Sequence, residues 1–174
     1  MKVWAQRFNI YLTLAAALAL LCGCLTEKPK KPVAALRIHI EASPDTLGTS
    51  QTVSVLRADP VLVTITQQPI LTEANLIAAR IIDAPGGCDI EVRFDETGSW
   101  ILEQCTAANP GRHLVIFGQW GEKLADGRWL AAPIITHRTG NGVLAFTPDM
   151  SRSEAEQFVL GLTHVAEFNQ KQLK

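Results

Sequence analysis

The stretch Cys88-Asp89-Ile90-Glu91-Val92-Arg93-Phe94, continued by Thr97 to Ala108 and closed by Asn109-Pro110-Gly111, decides the fold. From Cys88 to Phe94 apolar and polar residues alternate with the two-residue period of a half-buried strand. From Thr97 the spacing turns helical, with Ile101, Cys105 and Ala108 on one stripe. Asn-Pro-Gly cannot prolong a helix and marks its end. Leu114 to Phe117 is apolar again and reads as the next strand. Short elements of both kinds, joined by tight connections, predict an α+β domain.

Downstream, short strands are expected at Trp129 to Ala131, Ile134 to His137 and Val143 to Phe146. Thr139-Gly140-Asn141-Gly142 lies before the last of these. Asn-Gly tolerates positive φ at both positions and signals a hairpin turn. A final helix opens with Ser151 and Glu154 at capping-box spacing. Its core stripe is Ala155, Phe158, Val159, Leu162 and Val165. Upstream, Thr72 is placed to cap a helix carrying Ala74, Ile77, Ala78 and Ile81 on one face, before Pro85-Gly86-Gly87 breaks the chain. Leu36 to Glu41 alternates as a strand, and Gln51 to Leu56 and Val61 to Thr66 are two more, separated by Asp59-Pro60. The sum is a mainly antiparallel sheet with about three helices packed on one face.

Before this domain lies a different kind of sequence. Lys2 and Arg7 precede an uncharged, nearly unbroken apolar run from Phe8 to Leu21. The run is shorter than the ~20 residues a spanning helix needs, and its flanks are those of a secretory signal. Leu21-Cys22-Gly23-Cys24 then has the lipoprotein pattern: an aliphatic residue, a small residue and the Cys that accepts diacylglycerol. Residues 1–23 are read as the signal, Cys24 as the lipidated first residue of the mature chain, and residues 24–34 as a Pro/Lys tether. The expected address is the bacterial envelope, facing the periplasm, with Leu25 favouring the outer membrane. The lipid is the expected membrane contact, because no later apolar stretch approaches spanning length.

Removing the signal deletes Lys2 and Arg7 and no acid, leaving 14 basic and 17 acidic residues and a net charge of −3. Nucleic-acid binding calls for a clustered basic face, which this balance does not supply. The histidines at 39, 113, 137 and 164 stand outside ligand spacing of one another or of Cys, so no metal or other cofactor is expected. Ser50 and Ser54 lack the glycines of a nucleophile elbow. The turn at Gly140 precedes a strand and so lacks the helix N-terminus of a phosphate site. Asp89, Glu91 and Arg93 alternate on one strand face, the pattern of a solvated surface with cross-strand pairs. The expectation is a protein that is not an enzyme.

Cys88 shares the inward phase of its strand, and Cys105 lies on the stripe of the following helix. Two readings stay open: a disulfide between Cys88 and Cys105, if the helix folds back over the strand, or two buried thiols acting as small hydrophobes. Trp100 stands beside the helix stripe and is expected in the core. Trp120 and Trp129 flank the polar segment 121–128, which reads as an extended hairpin arm. Tryptophans there either pack on each other or anchor a partner, so Trp120 and Trp129 are the candidate partner-binding residues.

Several motifs resemble the head subdomain of the first large periplasmic domain of SecD, a membrane subunit of protein export. They are Leu71-Thr72-Glu73-Ala74, Phe94-Asp95-Glu96-Thr97-Gly98, Thr106 to Gly111, Gly127-Arg128-Trp129-Leu130-Ala131-Ala132-Pro133-Ile134-Ile135, the glycine turn at 140 and 142, and Ser153-Glu154-Ala155. The resemblance covers residues 71–170 and implies an α+β head that contacts emerging polypeptide. It departs from the family in the longer arm between Gly118 and Gly127 and in the lack of a glycine within Val143 to Phe146. Residues 35–70 match the family poorly and read as a β-rich elaboration, with 35–170 forming one compact unit. The expected function is a lipid-anchored, non-enzymatic periplasmic protein that binds exported polypeptide or another envelope protein. The alternatives are a structural, oligomerising envelope lipoprotein and, more remotely, a hydrolase with a scattered site.

Overall fold

A computed structural model describes residues 33–44 and 48–172. The signal, Cys24 and the tether as far as Pro32 lie outside them. The described chain falls within one compact unit and is α+β, with three antiparallel sheets and two helices. Among the described residues no helix is long and apolar enough to cross a membrane.

The four-stranded sheet has the order β4-β1-β7-β8: Leu71–Thr72, Ala35–Ile40, Leu114–Trp120 and Asp126–Ala131. β1 is therefore central, pairing with β7 from Ala35↔Gln119 to Ile40↔Leu114. Of the poorly matching N-terminal region, only the hairpin β2 (Ser50–Val55) and β3 (Val61–Thr66) stands apart as its own two-stranded sheet. This hairpin covers one face of the four-stranded sheet, where Val55, Val63 and Ile65 bury Val115. Alternation sends Leu114 and Ile116 to the other face, into the main core with Leu36, Ile38, Trp120 and Leu130.

The three-stranded sheet is β5-β6-β9: Leu76–Ala84, Gly87–Phe94 and Val143–Phe146. Here one expectation fails. Thr72 does cap, accepting from the Ala74 amide, but only a single 3-10 turn, Glu73–Asn75, follows. The expected helix is the strand β5, paired with β6 from Leu76↔Phe94 to Ala84↔Gly87. An irregularity in the ladder between Leu76 and Ala78 slips the alternation, so the inward residues are Leu76, Ala79 and Ile81. Of the expected stripe Ala74, Ile77, Ala78 and Ile81, only Ile81 packs against the core, and the full ladder with β6 fixes the segment as a strand. Pro85 and Gly86, with Gly86 at φ 84°, make the turn. This fits the type II requirement for Pro followed by positive φ.

The two helices are α1 (Glu96–Ala108) and α2 (Arg152–Gln172). Asp95 caps α1, its carboxylate accepting from the Gly98 amide at 2.6 Å. The α2 capping box forms as the spacing predicts: the Ser151 amide donates to Glu154 at 2.7 Å, and the Glu154 amide donates to Ser151 Oγ at 3.3 Å. The buried stripe of α2 is Ala155, Phe158, Leu162 and Ala166, with Ala166 in the place expected for Val165. Phe158 stacks edge-on against Trp120, ring centroids 5.8 Å apart, and joins α2 to the four-stranded sheet. Near its end the Asn169 amide donates to the Glu73 carbonyl at 2.9 Å, and that of Gln170 to Ile77 at 2.8 Å.

Candidate functional site: an open groove on the β9 edge

The expected strand at Ile134 to His137 does not form. Pro133 withholds a donor, and only one bridge, His113↔Ile134, is made. Three backbone bonds nevertheless tie the segment down: Leu114 N to Pro133 O at 2.9 Å, Ile135 N to Arg112 O at 2.8 Å, and Gly111 N to Ile135 O at 2.8 Å. Further along, Thr106 in α1 accepts from the Thr139 amide at 2.9 Å while donating to the Leu102 carbonyl. Arg138 pairs with Glu103. The Asn-Gly motif therefore closes no hairpin. It turns the chain from this pinned wall into β9, Gly142 adopting φ 66° and the Asn141 side chain accepting from the Val143 amide at 3.2 Å.

β9 is an edge strand. The Phe94 amide donates to the Gly142 carbonyl at 2.9 Å, and the register places Leu144 opposite Val92 and Phe146 opposite Ile90. Alternation in an antiparallel ladder then turns the backbone groups of Val143 and Ala145 away from β6. Between this edge and the wall lies a groove of about 580 Å³, lined by Leu114, Ile134, Val143, Leu144 and Ala145 among others. Gly140 and Asn141 are shared with a second hollow of about 640 Å³ that runs beside α1 past Trp100, Glu96 and Glu103. Both volumes fall in the range of ligand-binding clefts.

Trp100 is 62 % exposed, against the expectation that it is core. The buried residues of α1 are Gly98, Leu102 and Thr106. Trp100 lies two positions from both Gly98 and Leu102, and thus on the far side at 100° per residue. Gly98 sets that phase: a Cβ there would lie 2.9 Å from those of Asn75 and Phe94, so only glycine lets this face approach. Reading the stripe from Gly98 and Leu102 rather than from Cys105 identifies Trp100 as outward. Ile134 is likewise 56 % exposed.

The residues expected to bind a partner behave otherwise. Trp120 is 2 % exposed, held between Phe158 and the Arg128 guanidinium, which lies 4.8 Å from its ring centre. Trp129 is half-buried against Phe117 and His39, with ring centroids 5.0 and 5.3 Å away. The arm is shorter than expected, because β7 and β8 pair as far as Trp120↔Asp126 and consume most of it. Both indoles face the layers above and below the sheet, which takes Trp120 out of reach of a partner. Cys88 is buried and Cys105 partly so, and both are free thiols. Burial pushes the Cys105 thiol above its ordinary pKa, away from the thiolate.

His39, 4 % exposed, bonds through Nδ1 to the Thr66 carbonyl at 2.8 Å. Burial lowers its pKa, against the opposing effect of that hydrogen bond. His113 bonds Glu41 at 2.6 Å, and this bond holds the Glu41 carboxyl below its ordinary value. On the solvent face of β5 and β6, Arg80 pairs with Glu91 at 2.7 Å, as the alternating charges predict. Among the described residues no group of three or more His, Cys, Asp or Glu side chains could hold a metal ion.

No protein-family model matches the chain, and no curated protein matches it. Solved structures do. SecDF, a membrane component that enhances protein export, superposes over 76% of this chain and 63% of its own, at 22% identity and a TM-score of 0.52. SecDF in a super-membrane-facing form covers 76% of this chain and 19% of its own, at 22% identity and a TM-score of 0.53. The chain thus spans less than two thirds of either protein. What the two share with it is a fold, that of the periplasmic domain of SecDF.

Proposed function

We propose that this protein is a non-enzymatic, lipid-anchored protein of the bacterial envelope that binds extended polypeptide in the β9 groove. The observation that carries the reading is the edge of β9, which no further strand covers, facing a pinned wall, with Ile134 exposed in the groove and Trp100 exposed in the adjoining hollow. An extended chain adding to a sheet edge gains affinity from main-chain bonds and selectivity from pockets for alternate side chains. The SecDF-like fold is consistent with this role, and the lipoprotein pattern at Cys24 supplies the address. Trp100 and Ile134, rather than Trp120 and Trp129, serve as the apolar anchors. Glu96 gives the adjoining hollow beside α1 a preference for basic residues.

A fluorescein-labelled peptide of alternating valine and threonine, flanked by lysines, tests this by anisotropy. Ala145→Pro removes one outward amide from an edge position where proline is tolerated. It leaves a peptide carbonyl without its donor, a loss of about 1–3 kcal/mol, or roughly 5- to 150-fold in affinity. Trp100→Ala weakens binding similarly. Equal affinity in all three proteins, with stability unchanged, removes the groove from the function. The exposed Leu56, Val61 and Leu62 at the β2–β3 tip favour a second reading, self-association in a structural role. A monomer by light scattering at high concentration dismisses it.

A further inference from the structure

The outer face of α2 carries an apolar stripe that the fold leaves uncovered. Leu160 and Phe168 are 50 % and 60 % exposed and stand two turns apart, with His164 between them on the same face. Val33, 46 % exposed, lies beside them and with His164, Val165 and Phe168 lines a shallow hollow of about 290 Å³. The chain comes in across the helix at this place: a Cβ on Gly161 would stand 2.8 Å from the Val33 carbonyl carbon and from the Ala34 amide nitrogen. Only a bare glycine lets the entering backbone lie so close. The stripe and the mouth of the tether are therefore one surface.

We propose that this surface docks on the lipid bilayer, seating the domain on the membrane with the C-terminal half of α2 against the headgroups. The proposal rests on the reading of Cys24 as the lipidated residue. Val33 lies nine positions after Cys24, so the tether reaches at most about 30 Å when fully extended. Because it ends inside the apolar stripe, the surface it holds nearest the bilayer is this one. The charges agree: Lys28, Lys30 and Lys31 precede the patch and Lys171 borders it, where basic residues are drawn to anionic lipid. Among the described residues lining the hollow the acid is Glu167, and it is exposed.

The test uses the full mature chain, lipidated in cells and reconstituted into vesicles of phosphatidylethanolamine and phosphatidylglycerol. Phe168→Trp puts a reporter on the stripe, and Leu62→Trp puts one on the exposed β2–β3 tip. Apolar faces of docked helices enter about 5–10 Å, so acyl-chain-brominated lipid should remove about half or more of the emission added at position 168. The emission added at position 62 should be unaffected. Equal quenching at both positions, or none at 168, overturns the docking. Mass spectrometry of the same preparation reads Cys24. A diacylglyceryl-modified Cys24 with an unquenched reporter refutes the docking alone, and an unmodified Cys24 refutes the anchor and the docking with it.

Discussion

Replacing Phe158 by alanine should unseat α2 from the four-stranded sheet. The Phe158 ring is fully buried and stacks on Trp120 at 5.8 Å. Phe→Ala in a core costs about 3–5 kcal/mol, of which an aromatic pair accounts for about 0.5–1.5 kcal/mol. For a domain of this size the loss lowers Tm by about 12 °C. Gly118 sharpens the test. A Cβ there would lie 2.6 Å from Leu130 Cδ1 and 2.9 and 3.0 Å from two carbons of the Phe158 ring. Gly118→Ala alone should therefore overpack the interface by about 1–3 kcal/mol. With Phe158→Ala beneath it, two of the three close approaches vanish and the new methyl fills part of the cavity. The double variant should be less destabilised than the sum of the singles, by about 1–2 kcal/mol. Urea unfolding followed by circular dichroism, with a shared m-value across the four proteins, measures this. Additivity within about 0.5 kcal/mol would mean that Gly118 and Phe158 do not share a packing site, and the reasoning would be refuted.

His39 makes stability depend on pH. Its folded pKa is depressed by burial, so below the unfolded value of about 6.5 the unfolded chain binds a proton that the folded one refuses. Stability is full above that value, falls as pH drops below it, and levels once pH has passed the folded pKa. His39→Gln, which keeps a donor for the Thr66 carbonyl, should flatten this part of the profile; an unchanged profile between about pH 7.5 and 5 refutes the assignment. At the start of α2, Ser151→Ala leaves the Glu154 amide without its acceptor and should lower stability by about 1 kcal/mol in the same urea assay. No change in midpoint would show that the capping box contributes nothing.

Much of the fold was legible in the sequence where local signals agree. β6 and α1 follow from an uninterrupted alternation, then a capped helical run, then Asn109-Pro110-Gly111. The capping box at Ser151 and Glu154 likewise marks the start of α2. β5 was misread because Ala74, Ile77, Ala78 and Ile81 recur at helical spacing, whereas the irregularity near Ile77 makes Leu76, Ala79 and Ile81 the inward residues. Only the ladder with β6 reveals the slip. Trp100 was misplaced by a phase error of one residue on α1, which Gly98 corrects once its contacts with Asn75 and Phe94 are known. Trp120 and Trp129 drew attention as flanks of a polar arm, but pairing of β7 with β8 draws them into the layers instead.

The sequence by itself determined the α+β class, the likeness to the periplasmic domain of SecDF, the lack of clustered metal-ligating or nucleophilic motifs in its pattern, and the lipoprotein pattern at Cys24. Each of these rests on residues close together in the chain, whose periodicity and spacing act locally. Tertiary structure alone decided which edges stay open, which tryptophan faces solvent, and that Val33 and Ala34 cross α2 at its uncovered apolar stripe. Those features depend on contacts between residues far apart, such as Gly161 with Val33 and Thr106 with Thr139. Local pattern carries no information about which distant surface will cover a given side chain.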